Sequence, residues 1–195
     1  MKKRIEIDTI SQLVTADAGV RLNDLERWLA KRGYTLGYRP PGTGGSPLRH
    51  YLDRRTSNRL APLYGEIDDL CLALEAEGPG GPIRTKRVPR AATGPDFKKI
   101  FIGSQGRYAR IRSATFRISR RPEQKELWGI SWRRAGQQGL FLRRLAASGI
   151  RWTGLSLRGV RSLVLSTEGK GEIVADRGRV LQRLARETKG RIRRA

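Results

Sequence analysis

Residues 89–118 read PRAATGPDFKKIFIGSQGRYARIRSATFRI, and the fold turns on how this stretch is divided. A loop of Ala, Thr, Gly and Pro comes first. Thr93 to Asp96 suits the start of a short helix over residues 96–101, with Asp96 near its positive end. The turn Gly103-Ser-Gln-Gly106 follows, then an extended segment over residues 108–118. A glycine-bearing turn between a helix and a strand lets backbone approach a phosphate or a ring. The same turn also occurs where nothing binds, so both readings stay open at this point.

Upstream, residues 5–18 mix β-branched and polar residues and predict one or two strands, ended by Gly19. Residues 22–32 predict an amphipathic helix with Leu22, Leu25 and Leu29 on one face and Gly33 after it. Asn23 and Asp24 are placed to meet its free N–H groups. Residues 37–46, GYRPPGTGGS, read as a loop, and residues 47–60 as a polar, basic segment with a helical turn. Residues 67–77 have the look of a buried strand with the paired acids Asp68 and Asp69 at its start, and residues 83–88 of a short basic strand. Downstream, a charged linker around Pro122 marks a domain boundary between residues 121 and 122. Beyond it, residues 127–133 predict a strand and 137–147 a helix. Two strands, 152–157 and 162–166, and a long helix over 171–189 complete the order. Strand, helix, strand, strand, helix is most of a ferredoxin-like unit, whose last strand would have to come from residues 191–195.

The chain has 195 residues, enough for one full core or one domain and part of another. It carries 41 Lys plus Arg against 18 Asp plus Glu, a net charge of +23, and the excess is uneven. Residues 1–97 hold 16 basic and 12 acidic side chains, residues 98–195 hold 25 and 6. A half-chain of net +19 attracts polyanions such as nucleic acid or anionic lipid, unless it is a solvated arginine-rich surface. The single cysteine, Cys71, rules out an internal disulfide and a cysteine metal cluster, and its apolar neighbours predict a buried, inert thiol. With His50 as the only histidine, a histidine metal site or catalytic triad is not expected, so the catalytic and metal residues read as none. There is no signal-peptide pattern and no apolar run near the ~20 residues of a membrane helix, so the expectation is a cytoplasmic protein.

Several motifs in order carry a resemblance. They are Ala18-Gly19, Asp24-Leu-Glu26, Gly33-Tyr-Thr-Leu-Gly37 and Tyr64-Gly-Glu-Ile-Asp-Asp-Leu70. Then come Pro89-Arg-Ala-Ala-Thr-Gly-Pro-Asp-Phe97, Ile102-Gly-Ser-Gln-Gly106, Ala114-Thr115 and Pro122-Glu123. Together they resemble the FAD-linked oxidases whose flavin domain is of the p-cresol methylhydroxylase and vanillyl-alcohol oxidase type. The nearest likeness is to alkyl-dihydroxyacetone-phosphate synthase and the glycolate oxidase flavin subunit. The resemblance implies an α+β fold. Residues 1–121 would be the second half, antiparallel sheet plus helices, of a PCMH-type FAD-binding domain. Residues 122–195 would be a partial ferredoxin-like α/β fragment of the substrate domain.

The departures matter as much. The family's opening half, with the glycine-rich loop for the FAD pyrophosphate, has no counterpart at Met1-Lys-Lys. The family's two flavin-facing glycines fall on Arg49 and His50, whose side chains should crowd a bound ring. The catalytic tyrosine and histidine cluster of the family's substrate domain have no match. The family-matched cofactor positions are Gly42, Ser46, Arg55, Thr56, Ser57, Gln105, Gly106 and Ile111, which the departures make vestigial. Where the family reads Thr-Leu-Gly-Ile-Ile-Thr after this glycine, this chain has Arg107, Tyr108, Ala109, Arg110, Ile111 and Arg112.

Of these, Arg107, Tyr108, Arg110 and Arg112 make an aromatic-plus-basic patch able to stack a base and bind phosphate, or simply a solvated strand face. Arg179, Arg183 and Arg186 line one side of the last helix, and Arg191, Arg193 and Arg194 extend it. The sequence thus predicts a non-catalytic, truncated paralogue that binds nucleic acid and takes no cofactor. Two alternatives stand beside it. One is an FAD-binding oxidoreductase subunit whose flavin site is completed by another chain. The other is a structural module that pairs through the open edge of an incomplete sheet.

Overall fold

The computed structural model describes residues 4–86 and 96–194. The expectations placed on residues 89–95, Thr93 among them, lie outside the described residues. The chain divides into two compact units, residues 1–121 and 122–195.

In the first unit the elements run β1 (Ile5–Asp8), β2 (Leu13–Asp17), α1 (Leu22–Ala30), β3 (Tyr34–Thr35), α2 (Leu48–Arg54), α3 (Ala61–Tyr64) and α4 (Ile67–Leu70). They continue with β4 (Cys71–Gly78), β5 (Gly81–Arg84), α5 (Lys98–Phe101), β6 (Arg110–Arg117) and β7 (Ser119–Arg120). Five strands form one antiparallel sheet in the order β1-β2-β6-β4-β5, and β3 pairs with β7 beside it. The alternation of β2 sends Val14 and Ala16 to the face that meets Phe116 and Ala114 of β6. Leu22, Leu25 and Leu29 of α1 and Leu48 and Leu52 of α2 are buried in the same core. Each fully buried leucine stabilises the unit by about 2 kcal/mol relative to exposure. Cys71 is buried there, and burial pushes its thiol up to about 12, so it is not a nucleophile at neutral pH.

Four sequence expectations are corrected here. Residues 67–77 are not one strand: a turn of helix, α4, precedes β4. Asp69 accepts from the Glu66 N–H at 3.1 Å, completing a capping box that a strand would not have. Asn23 and Asp24 do not cap α1, whose N-cap is Arg21 with no side-chain bond. Instead the Asn23 amide donates to the Thr43 carbonyl at 2.8 Å and ties the 37–46 loop to the helix, while Asp24 pairs with Arg27. Asp96 does not cap α5 with its side chain, since the N-cap is Phe97; its carboxylate lies 3.5 Å from buried Lys98. The strand predicted over residues 83–88 is described as β5, ending at Arg84, and residues 87–88 lie outside the described residues.

The second unit runs β8 (Gln124–Ser131), α6 (Ala135–Ala147), β9 (Gly154–Leu157), β10 (Ser162–Gly169), α7 (Gly171–Glu187) and β11 (Arg191–Arg194). The sheet order is β11-β8-β10-β9, all antiparallel. This is a ferredoxin-like βαββαβ unit with all four strands present, the last of them supplied by residues 191–194, within the stretch that the sequence left for it. A four-residue, three-arginine segment has no strand pattern of its own. It pairs because the left-handed Lys189, at φ 54°, turns the chain back onto β8 and Ile192 stands opposite Ile130. Both helices cover one face of the sheet, where Trp128, Ile130, Leu163 and Leu165 meet Phe141, Leu145 and Leu181.

Candidate flavin-facing site

The first unit's glycine turn is held against the end of α2. The Gly103 N–H donates to the Leu52 carbonyl at 2.9 Å, and the Gln105 N–H to the Asp53 carbonyl at 3.0 Å. Those carbonyls belong to the last turn of α2, where that of Leu52 also accepts from the Arg55 N–H at 3.1 Å. Gly103, Gln105 and Gly106 all take positive φ, of 86°, 55° and 75°. Gln105 is the informative one, because a side chain in the left-handed region costs about 1 kcal/mol or more. A Cβ on Gly103 would come 3.3 Å from the Cβ of Arg55, so glycine keeps the loop seated. Arg55 is itself left-handed at φ 46° and ends α2. Its guanidinium donates to the Asp68 carboxylate at 2.7 Å, anchoring the turn to α4. That explains Asp68 as a structural acid.

Beside this turn, Arg49 lies 4.0 Å from Asp53, and the His50 ring meets Tyr51 edge-on at 5.3 Å. Both side chains are thus engaged with their own helix. The sequence expectation that they crowd a ring is modified accordingly: they occupy the first turn of α2 but lean along it. Burial raises the Asp53 carboxyl above the usual range, against the pull of Arg49 and His50. One Asp53 oxygen is buried without a hydrogen-bond partner. A carboxyl raised on folding adds stability that is fully present below the ordinary carboxylate range and is lost as pH rises through the raised value. Asp53→Asn is therefore expected to match the parent chain in acid and to exceed it in stability at neutral pH. The partly exposed pair with Arg49 offsets this by no more than about 0.5 kcal/mol. Thermal midpoints measured from acid to neutral pH check it; a deficit that grows with pH would reverse the assignment.

The structure divides the cofactor positions inferred from sequence. Arg55, Thr56, Ser57, Gln105 and Gly106 gather at the end of α2, with Ser57, Gln105 and Gly106 exposed. Thr56 also serves the fold, its carbonyl accepting from the Tyr38 hydroxyl at 2.8 Å. Ser46 sits at the start of α2, where its N–H donates to the Tyr51 hydroxyl at 3.2 Å. Gly42 is elsewhere, in a recess of about 370 Å³ with Glu26, Thr35, Tyr38 and Arg39, which no other cofactor position lines. Ile111 is 1% exposed in the core and cannot touch a cofactor. Its family match reflects packing. What remains is a one-sided polar rim.

Among the basic residues, Arg107, Tyr108, Arg110 and Arg112 are exposed. Tyr108 precedes β6, however, and Arg112 is bound to Glu77 on β4. In the second unit Arg179, Arg183 and Arg186 lie on the outer side of α7, and Arg179 pairs with Asp176 while Arg183 lies 4.0 Å from Glu187. Arg191 and Arg193 lie on the opposite face of the sheet, and Arg194 turns back to meet Glu126 at 3.3 Å. The single basic surface expected from the sequence is therefore two surfaces on opposite sides of that unit. Strand alternation causes the split, and a helix-face count does not register it. The residue that sequence reasoning missed is Asn58, whose buried side chain bonds four backbone groups around the 37–39 and 58–66 loops. In sequence it is an ordinary turn asparagine.

Comparison with known proteins agrees with this architecture. A family described as an FAD-binding domain matches residues 1–85. The FAD-linked oxidoreductase YgcU of Escherichia coli K12 is 35% identical over 131 residues, which are 66% of this chain and 27% of that protein. The alkyldihydroxyacetonephosphate synthase of Caenorhabditis elegans is 34% identical over 126 residues, 64% of this chain and 21% of that protein. A solved alkyldihydroxyacetonephosphate synthase superposes with a TM-score of 0.86 over 99% of this chain and 42% of its own, at 17% identity, so it shares the fold. Residues 1–85 match the FAD-binding domain family, and over about two thirds of its length the chain is similar to FAD-linked oxidoreductases. It spans about a quarter of the length of the curated relatives it matches. FAD is the family's cofactor. Among the described residues no helix is long and apolar enough to cross a membrane, and no cluster of His, Cys, Asp or Glu is arranged to hold a metal.

Proposed function

We propose that the chain is part of an FAD-linked oxidoreductase and supplies one wall of its flavin site. Arg55 to Ser57 and Gln105 to Gly106 form that wall, and a separate chain carrying the pyrophosphate-binding half completes it. The observation that carries the reading is the 103–106 turn. It keeps three left-handed residues, one of them a glutamine, in an exposed loop bonded to α2. Strain held in an exposed loop is a mark of a site that something else completes. The flavoprotein relatives favour this alternative over the non-catalytic, nucleic-acid-binding reading that the charge alone suggested.

The test is FAD titration of the purified chain, alone and mixed with a separately expressed amino-terminal flavin half from an FAD-linked oxidoreductase. Flavin fluorescence and visible absorbance are the readouts. Weak uptake alone and stoichiometric uptake in the mixture are expected, with Gln105→Pro reducing uptake by about tenfold or more, because proline cannot adopt the left-handed backbone or donate to Asp53. A stable complex of the two polypeptides that takes up no flavin would sink the proposal.

A further inference from the structure

The five-stranded sheet of the first unit ends at β1, and among the described residues no strand lies beyond it. We infer that this edge pairs with the same edge of a second copy of the chain, antiparallel, about a two-fold axis at Ile5. The inference concerns a sheet edge away from the 103–106 turn and does not rest on the flavin reading.

The register decides which backbone groups the edge offers. The Asp17 N–H donates to the Arg4 carbonyl at 3.0 Å, so these two form a hydrogen-bonded pair of the antiparallel ladder. Such pairs alternate along a strand with pairs that are not bonded. Glu6 and Asp8 therefore bond to β2 opposite Thr15 and Leu13, while the N–H and C=O groups of Ile5 and Ile7 point the other way, to the open side. The side chains of Ile5 and Ile7 are half-buried and pack against the same core as α1. A recess of about 520 Å³ lies along the edge, lined by Ile5, Ile7, Leu13, Trp28 and Arg32, among others. The Arg32 guanidinium stacks on the Trp28 ring there, 3.6 Å from its centroid. Unpaired backbone groups with an apolar recess beside them are a template for another strand.

Charge then selects the occupant. An edge that keeps copies apart carries charges of one sign, often lysines. Residues 4–8 read Arg-Ile-Glu-Ile-Asp instead, with exposed charges of both signs. With Ile5 opposite Ile5, the two copies exchange both hydrogen bonds of that pair, and Arg4 of each stands opposite Glu6 of the other. Arg4 already pairs with Glu6 of its own chain at 2.5 Å, so the seam becomes a square of alternating charge. Sliding one strand by two residues, Ile5 against Ile7, would use the same backbone groups but set Glu6 against Glu6, which is unfavourable. Sliding by one residue would turn the isoleucines away from the recess. The sequence carries the symmetry one step further out, with Lys2 and Asp8 equally far from Ile5. A two-fold axis perpendicular to the sheet keeps both copies' isoleucines on the face of the recess. Residues 1–97 hold 16 basic and 12 acidic side chains, so the half of the chain that forms the seam repels its own copy only weakly.

The experiment is sedimentation velocity of the full chain over a range of concentrations at physiological salt, which screens the more distant charges. A reversible equilibrium between monomer and dimer is expected. Ile5→Pro should leave only monomer, because it removes an N–H on the open side and none that bonds to β2. Arg4→Glu alone and Glu6→Arg alone each place like charges across the seam twice and should weaken the dimer about tenfold. The double variant, Arg4→Glu with Glu6→Arg, restores opposite charges in the same register and should bring the dimer back. Circular dichroism and thermal midpoints verify that each variant folds. A parent chain that stays monomeric throughout would overturn the inference, as would a dimer that survives Ile5→Pro or a folded double variant that stays monomeric. Open-ended growth beyond the dimer would do so as well, since it requires β1 to pair with a different edge.

Discussion

Asn58→Ala is expected to cost the first unit about 3–5 kcal/mol and to free the 37–46 loop. The side chain is 5% exposed and makes four bonds. Its Nδ2 donates to the carbonyls of Gly37, at 2.9 Å, and Gly65, at 2.8 Å. Its Oδ1 accepts from the N–H groups of Arg39, at 2.8 Å, and Leu60, at 3.0 Å. Every donor and acceptor of the amide is used. Truncation leaves several backbone groups without partners in a space that is slow to fill with water, at about 1–3 kcal/mol for each one left unsatisfied. Asn58→Asp is the sharper variant. It keeps the size and both accepting bonds but turns the two donors into a second oxygen facing two carbonyls. It should be at least as damaging as alanine at neutral pH and should recover partly in acid, where a protonated carboxyl can donate once. Denaturant midpoints of the three proteins across pH decide the matter. If aspartate is tolerated at neutral pH, the amide orientation assigned here is wrong.

Why Asn58 was invisible in the sequence, while much else was legible, has a physical reason. Local pattern is written into elements that bury one face. Leu22, Leu25 and Leu29 announce α1, and the alternation around Trp128 and Ile130 announces β8. The motif order from Ala18 to Pro122 was legible as well, because a family's turns are fixed by small residues at set distances. The spacing of Leu48, Tyr51 and Leu52 also held the signal for α2, hidden among arginines. Other features depend on partners distant in the chain. Asn58 earns its place only when residues 37–39 and 65 arrive around it. Arg191 to Arg194 become a strand only because β8 offers a free edge, and pairing then splits their charges between two faces. Ile111 shows the opposite error. A position matched to a cofactor-binding motif is retained for its burial, since a strand end that approaches a ligand also has a side pointing into the core.

In the second unit, the largest effect is expected from Gly178. It lies in the middle of α7, where alanine would ordinarily be favoured over glycine by about 1 kcal/mol. Here a Cβ would sit 2.7 Å from Cζ2 and 3.1 Å from Cη2 of Trp128. The indole cannot swing aside cheaply, being 1% exposed and packed on the central strand β8. Overpacking by a single carbon costs about 1–3 kcal/mol, so for Gly178→Ala the clash outweighs the propensity and the net effect is a loss. Gly178→Leu adds three more carbons against the same ring and should prevent α7 from docking at all. The fluorescence of Trp128, taken by difference from a Trp128→Phe chain because Trp28, Trp132 and Trp152 also emit, should shift to the red in the leucine variant and stay near that of the parent in the alanine variant. A double variant, Gly178→Ala with Trp128→Phe, separates the two terms. The smaller ring leaves room for the new methyl, so alanine should then be neutral or stabilising, as helix propensity alone requires. If alanine at position 178 costs the same with phenylalanine at 128, the packing of α7 on β8 does not limit this helix, and the glycine answers to some other constraint.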